Sequence, residues 1–308
     1  MIRAMASPAL RLAPDDDDGL ALRYYPVTSR DGTRLQAWTN DVEGPTVLLC
    51  NGLGTNPYSW ASLLDPGCGV RVVSWNHRGT GGSERPADLE RVGIEEFVED
   101  AVAVLDEANV DRCVVVGWSM GVNTAFELAV RHPHRVSGVL AVGGVPGNTF
   151  GSMLEPLHVP RPLRKLVTVN LARLMKLTGR PVHAATSRLS VGRLSLQVLT
   201  HSGFMMPVAD PELSRRAVRE FLTTPTAWYM HLALHSSLHE RVSLRRVRVP
   251  TSFLAGKYDV LASSRDMRSA AARIPGAVYE ELAATHFLPM EKPDEVQQAL
   301  DELLGRVL

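Results

Sequence analysis

Cysteine is scarce: Cys50, Cys68 and Cys113 are the only three in 308 residues, an odd number with no metal-ligand spacing. That argues against a disulfide scaffold and points to a reduced, cytoplasmic protein. Cys50 and Cys113 border apolar runs, where a small buried thiol is the expected role. A surplus of charge is also absent, since 33 basic residues balance 33 acidic ones. The chain as a whole therefore has no electrostatic case for binding nucleic acid. No segment reaches the ~18 uninterrupted apolar residues of a membrane-spanning helix. The opening stretch, MIRAMASPALRLAPDDDDGL, has no apolar core of secretory length, because Pro8, Arg11 and Pro14 interrupt it. Residues 1–20 are expected to form a solvated, flexible acidic leader. No internal repeat stands out.

What is present is an alternation of short apolar runs with helical patterns, the mark of an α/β protein with a mostly parallel sheet covered on both faces. Residues 22–40 read as a hairpin turned at Asp31-Gly32, with two antiparallel strands at a sheet edge. TVLLC (46–50) and VRVVSW (70–75) are continuous apolar runs, as expected of strands covered on both sides. Residues 93–110 place Phe97, Val98, Ala101, Val102, Val104 and Leu105 on one helical face. A strand over 112–117, a helix over 121–133 and a strand over 136–144 follow. The rhythm returns with a strand at 250–256, a helix at 263–274, a strand at 277–282 and a closing helix at 293–307.

Between 148 and 248 the alternation disappears. Seven prolines, from Pro156 to Pro225, cut a helical stretch into short pieces. Residues 148–250 hold 15 Lys and Arg against 5 Asp and Glu, a balance of +10, which leaves −10 for the remainder. The stretch reads as a helical insertion, a cap over the sheet's C-terminal edge, dividing the core domain into 21–147 and 249–308.

The sharpest signal is VVVGWSMGVN (114–123), a buried strand running into Ser119 between Gly117 and Gly121. A serine hydroxyl is a weak nucleophile until a base takes its proton, and its oxygen must protrude toward a substrate. A tight strand-to-helix turn achieves this at the cost of backbone strain, and the flanking glycines remove side chains that would clash. The helix that follows aims free N–H groups and its positive dipole end at the same place. Gly117-Trp118-Ser119-Met120-Gly121 thus has the strand before and the helix after that a G-x-S-x-G nucleophile elbow requires.

On these residues the chain resembles the α/β-hydrolase fold superfamily over roughly 25–305, in its serine esterase and lipase-like branch. The resemblance implies an acid after a late strand and a histidine after the last one. Asp259, in KYDV, and His286, in AATHFLPMEKPDEV, occupy those places; Asp266, within a helix, is the poorer acid. His286 is then the general base and Asp259 the group that orients it. CNGLGTN (50–56) stands where the family carries His-Gly-x-Gly, which implies an oxyanion hole from the amides of Leu53 and Met120. Asn51 replaces the usual histidine, a variant resembling intracellular polyhydroxyalkanoate depolymerases. WNHRGTGGSERP (75–86) is similar to the family's D-x-R-G-x-G-x-S segment, with Arg78 and Ser83 as loop braces and His77 in no catalytic role.

The implied reaction is cleavage of a small, apolar carboxylic ester, with thioesters and lactones open to the same machinery and no cofactor or metal required. Two other readings stay open, a carbon–carbon bond hydrolase and a non-catalytic ligand-binding protein. Epoxide hydrolases and dehalogenases of this fold carry aspartate at the elbow, and Ser119 argues against both. Trp118, Phe204, Met206, Trp228 and Phe287 are candidate pocket walls, and Phe204, Met205, Met206, Trp228, Tyr229 and Met230 are equally consistent with a core internal to the cap. His231, His235 and His239 share a helix face, yet no carboxylate beyond Glu240 is near them in sequence, so no metal is expected. Oligomeric state is not legible.

Overall fold

The computed structural model of the protein describes residues 19–186 and 192–308. The aspartate run of the expected leader, Asp15–Asp18, lies outside the described residues, as do positions 187–191 of the expected insertion. Eight strands build one sheet: β1 (Arg23–Thr28), β2 (Arg34–Thr39), β3 (Thr46–Cys50), β4 (Arg71–Trp75), β5 (Cys113–Trp118), β6 (Val136–Val142), β7 (Thr251–Gly256) and β8 (Val278–Leu282). Their spatial order is β1-β2-β4-β3-β5-β6-β7-β8. β2 is antiparallel to both neighbours, and every pairing from β4 through β8 is parallel. The β1–β2 turn closes where Gly32 takes a φ of +84° and the Asp31 carboxylate accepts the Thr33 amide at 3.1 Å.

The helices are α1 (Ile94–Glu107), α2 (Gly121–Arg131), α3 (Thr149–Ser152), α4 (Arg161–Leu177), α5 (Gly179–Thr186), α6 (Arg193–Thr200), α7 (Pro211–Phe221), α8 (Thr226–Ser236), α9 (Ser264–Ala271), α10 (Leu288–Glu291) and α11 (Pro293–Leu304). The continuous apolar strands are explained by their two-sided cover. Val115, Val139 and Phe253 pack with Val98 and Val104 of α1, Phe126 of α2 and Met267 of α9. The alternate residues Val114, Val116, Leu140 and Leu254 pack with Leu300 and Leu303 of α11. Each such side chain removed from water stabilises the fold by roughly 1.5–3 kcal/mol. Most helix ends fall inside the expected spans for local reasons. α1 stops at Glu107, short of the expected 110, because Asn109 turns into the left-handed region at φ +53°. Ser263 caps α9 from outside, its hydroxyl accepting the Asp266 amide at 3.1 Å.

Among the described residues, helices α3 to α8 lie between β6 and β7, although those two strands are neighbours in the sheet. The chain therefore leaves the end of β6, runs through the helices and returns beside its point of departure. Trp228, Leu232 and Ala233 of α8, with Phe150 and Ala172, share one apolar cluster with Leu53, Phe97 and Met120. The helical stretch is thus packed on the sheet's C-terminal edge. Among the described residues no helix is long and apolar enough to cross a membrane.

Candidate active site

β5 ends at Trp118, and Ser119 takes a φ of +55°, a conformation that a residue with a Cβ adopts only under strain. The turn is pinned by the Ser119 amide donating to the Val142 carbonyl at 3.0 Å. It is also closely packed: a Cβ on Gly121 would sit 1.9 Å from the Cys50 carbonyl oxygen, and one on Gly117 would sit 2.8 Å from Val122 Cα. Only glycine fits at either place, which is the physical content of the two flanking glycines.

Asp259 follows β7 and His286 follows β8, and the parallel sheet brings both strand ends toward the end of β5. His286 Nε2 lies 2.7 Å from Ser119 Oγ, and His286 Nδ1 lies 2.8 Å from Asp259 Oδ2. The other Asp259 oxygen accepts the amides of Leu261 and Ala262 at 2.7 and 2.8 Å. Because an ionised carboxylate only accepts, Nδ1 carries the imidazole proton and Nε2 is left to accept from the serine hydroxyl. The Trp118 indole N–H donates to the His286 carbonyl at 3.0 Å, so one expected pocket wall also fixes the histidine backbone. Asn51 contributes to the same frame, its side-chain oxygen accepting the Trp60 indole N–H at 2.7 Å. Among the described residues, the amides of Leu53 and Met120 have no acceptor, and both residues border the cavity over Ser119.

That cavity, of about 530 Å³, reaches from Ser119 and His286 up between α4, α7 and α8. Among the described residues, no Lys, Arg, Asp or Glu lines it. Burial pushes the Tyr229 phenol in its wall up to about 12, so that group stays neutral as well. Phe204 and Phe287 both line the cavity, with ring centroids 5.3 Å apart.

Two expected pocket residues lie elsewhere. Trp228 is turned away from the cavity, its indole N–H donating to the Arg78 carbonyl at 2.9 Å beneath the Arg85 guanidinium. A buried indole needs an acceptor, and the loop after β4 supplies one. Met206 is not in the lining either; its amide donates to Glu291 Oε1 at 2.8 Å, and the neighbouring Met205 faces the cavity instead.

His77 is buried against Phe97, and burial lowers its pKa to about 4, so it stays neutral and apart from Ser119. α8 ends at Ser236, so His231 and His235 lie on it and His239, expected on the same helix face, falls past its end. His235 and His239 do meet carboxylates, which their sequence neighbourhood had not suggested. Glu90 comes within 3.2 Å of His235, and Glu127 within 3.3 Å of His239. Glu90, His231 and His235 have ligand-type atoms within 4.8 Å of one another. His231, however, has both ring nitrogens engaged, one by Lys176 Nζ at 2.8 Å and one by the Leu89 carbonyl at 2.7 Å. The group fastens α8 to the loop before α1.

Glu291 is a residue the sequence reading missed. Its buried carboxylate accepts the Thr285 amide at 2.7 Å, the Thr285 hydroxyl at 2.6 Å and the Met206 amide. It thereby ties the His286 loop to the segment after α6. The one available signal was its place five residues after His286, which by itself reads as a surface acid on a short helix. Glu291→Ala is expected to lower the unfolding free energy by about 2–3 kcal/mol, since the buried Thr285 amide and hydroxyl and the half-buried Met206 amide lose their acceptor. Urea unfolding of Glu291→Ala beside Glu291→Gln measures it; equal midpoints for wild type and the alanine variant would refute the role.

The alpha/beta hydrolase fold family model matches residues 45–293. Epoxide hydrolase A of Mycobacterium tuberculosis is 28% identical over 318 residues, covering 89% of this chain and 95% of that one. Epoxide hydrolase B of the same organism is 34% identical over 134 residues, where the match spans only 38% of that relative's length and 39% of this chain. Among solved structures, the enol-lactonase from Burkholderia xenovorans superposes with a TM-score of 0.68 at 23% identity, covering 91% of this chain and all of the other. With the sheet order, the Ser119 turn and a family match over most of its length, the chain belongs to the alpha/beta hydrolase fold family.

Proposed function

We propose that the chain is a serine hydrolase of neutral, apolar carboxylic esters, with residues 148–248 acting as a cap over the site. One observation carries the reading: the hydrogen-bonded line from Asp259 through His286 to Ser119, at the floor of a cavity with no charged wall. In the proposed reaction Ser119 Oγ attacks the ester carbonyl as His286 Nε2 takes its proton. The tetrahedral oxyanion is met by the free amides of Leu53 and Met120, a single such donor contributing about 10²–10³-fold in kcat. His286 then protonates the departing alcohol, leaving an acyl group on Ser119 that water removes by the same steps in reverse. Asp259 holds the imidazole tautomer and stabilises its cation. Lactones and thioesters present the same carbonyl to the same groups.

The names of the epoxide hydrolase relatives favour a second reading, and the chemistry at position 119 weighs against it. A carboxylate that opens an epoxide forms an ester, which water can hydrolyse at its carbonyl. A serine alkoxide would form an alkyl ether with no carbonyl to attack, and turnover would stop after one event.

A panel of p-nitrophenyl esters tests the proposal. From acetate to octanoate, kcat/KM is expected to rise by roughly threefold to fourfold per methylene while the chain still fits, from about 0.8 kcal/mol per buried CH₂. An acyl chain ending in a carboxylate should react at least about 10²-fold more slowly than its methyl-ended counterpart, because the cavity offers no cation to pair it. Equal rates for the two would sink the apolar-substrate reading. Continuous turnover of styrene oxide without ester turnover would replace the ester reading altogether.

A further inference from the structure

The insertion carries more exposed apolar surface than its own packing uses. Eleven of the fifteen large apolar side chains exposed among the described residues lie between 157 and 238. Six of them, Leu163, Leu166, Val167, Leu171, Leu174 and Leu177, sit on α4 and are 48–84% exposed. They recur at steps of three and four, so they form one stripe along a helix of 17 residues. The opposite side of α4 is already satisfied, with Ala172 buried in the cluster beneath α8. A continuous apolar stripe facing water marks an interaction surface.

Its charge identifies the partner. Residues 156–209 contain eight Lys and Arg and no Asp or Glu. On α4 and α5, Lys165, Arg173, Lys176 and Arg180 are exposed. An apolar helix stripe bordered by cations, with no acid within the segment, is the pattern of a helix lying in the surface of an anionic bilayer. A second copy of the chain fits poorly. A two-fold contact through α4 would bring this basic face against itself, with no acids in the segment to pair it.

The stripe is also continuous with the cavity. Val167, Leu171 and Phe204 are exposed on the outside and line the cavity over Ser119 on the inside. We propose that α4 docks the protein on an anionic lipid surface with the mouth of the cavity toward the acyl chains, so that apolar substrates enter from the bilayer. The docking stands independently of the chemistry assigned to Ser119; the delivery of substrate rests on that assignment.

The test therefore uses Ser119→Ala protein and measures co-sedimentation with vesicles of phosphatidylcholine, with and without phosphatidylglycerol. Partitioning onto the anionic vesicles is expected to be at least tenfold stronger and to collapse as salt shortens the Debye length from about 10 Å at 0.1 M to about 3 Å at 1 M. Leu166→Glu with Leu174→Glu should reduce it tenfold or more. Lys165→Glu with Arg173→Glu should reduce it by about fivefold for each cation removed. All four positions are exposed, and circular dichroism checks that the variants fold. Equal partitioning onto both vesicle types, or none onto either, would overturn the proposal. So would a wild-type dimer in gel filtration that Leu166→Glu with Leu174→Glu converts to monomer. Wild-type protein that binds the anionic vesicles but turns over no ester would condemn the hydrolase reading alone.

Discussion

Replacing Ser119 with alanine is expected to lower kcat for p-nitrophenyl butyrate by about 10⁴–10⁶-fold while leaving the fold intact. The size follows from the arrangement: without Oγ no acyl intermediate forms, and His286 is left facing an empty position at the floor of the cavity. A residual rate above that in water should persist, because the proposed oxyanion donors, the Leu53 and Met120 amides, are untouched by the substitution. His286→Ala should cost nearly as much, and the double variant little more than either alone, since the two groups act as one unit. A fluorophosphonate should label wild type at the peptide containing Ser119 and leave Ser119→Ala unlabelled. Equal turnover by wild type and Ser119→Ala would remove the nucleophile from its proposed place. Labelling of another serine would do the same.

The Ser119 turn was legible because its backbone demands glycine at fixed offsets, and such demands leave a local mark in sequence. The sheet was legible for a related reason, since strands buried on both faces cannot afford polar residues and read as unbroken apolar runs. Asp259 was singled out by its place after a late strand, and His286 by its place after the last strand together with the likeness of AATHFLPMEKPDEV to the family's histidine loop. Long-range contacts left no comparable trace. Composition could not say that Trp228 would seek the Arg78 carbonyl and leave the cavity wall, or that Met205 and not Met206 would face the cavity. The pairing of His235 with Glu90 likewise depends on how α8 packs on a loop some 140 residues earlier. Arg78 and Ser83 were expected as braces, and their partners had to be seen: the Ser83 hydroxyl accepts the Gln36 amide at 2.9 Å and donates to the Asn76 carbonyl at 2.6 Å.

Arg78→Ala is expected to lower the unfolding free energy by about 3–5 kcal/mol, the largest single loss of stability foreseen in the molecule. The guanidinium is fully buried, and each of its N–H groups has an acceptor. Nε and Nη2 reach Asp100 at 2.9 and 2.7 Å, Nη2 also reaches the Ser29 hydroxyl at 3.1 Å, and Nη1 reaches Asp31 and the Arg91 carbonyl at 2.5 and 3.0 Å. Asp100 is equally buried, so removing the arginine strands a carboxylate that, among the described residues, keeps the Ser29 hydroxyl alone as a donor. Burial raises the Asp100 pKa, and losing its cation would raise it further. The sign follows: in Arg78→Ala the folded carboxyl binds a proton more readily than the unfolded one, so the variant should recover part of its stability as pH falls toward the unfolded value. The cost should also be non-additive. Arg78→Met with Asp100→Leu removes both buried charges and is expected to be more stable than Arg78→Ala alone, because an apolar pair leaves nothing unsolvated except the Asp31 side of the network, where Arg91 and the Thr33 amide still meet that carboxylate. Urea unfolding of the three proteins at pH 7 and pH 5 decides it. A single variant within about 1 kcal/mol of wild type, or a double variant less stable than the single, would show that the network is not held by charge pairing.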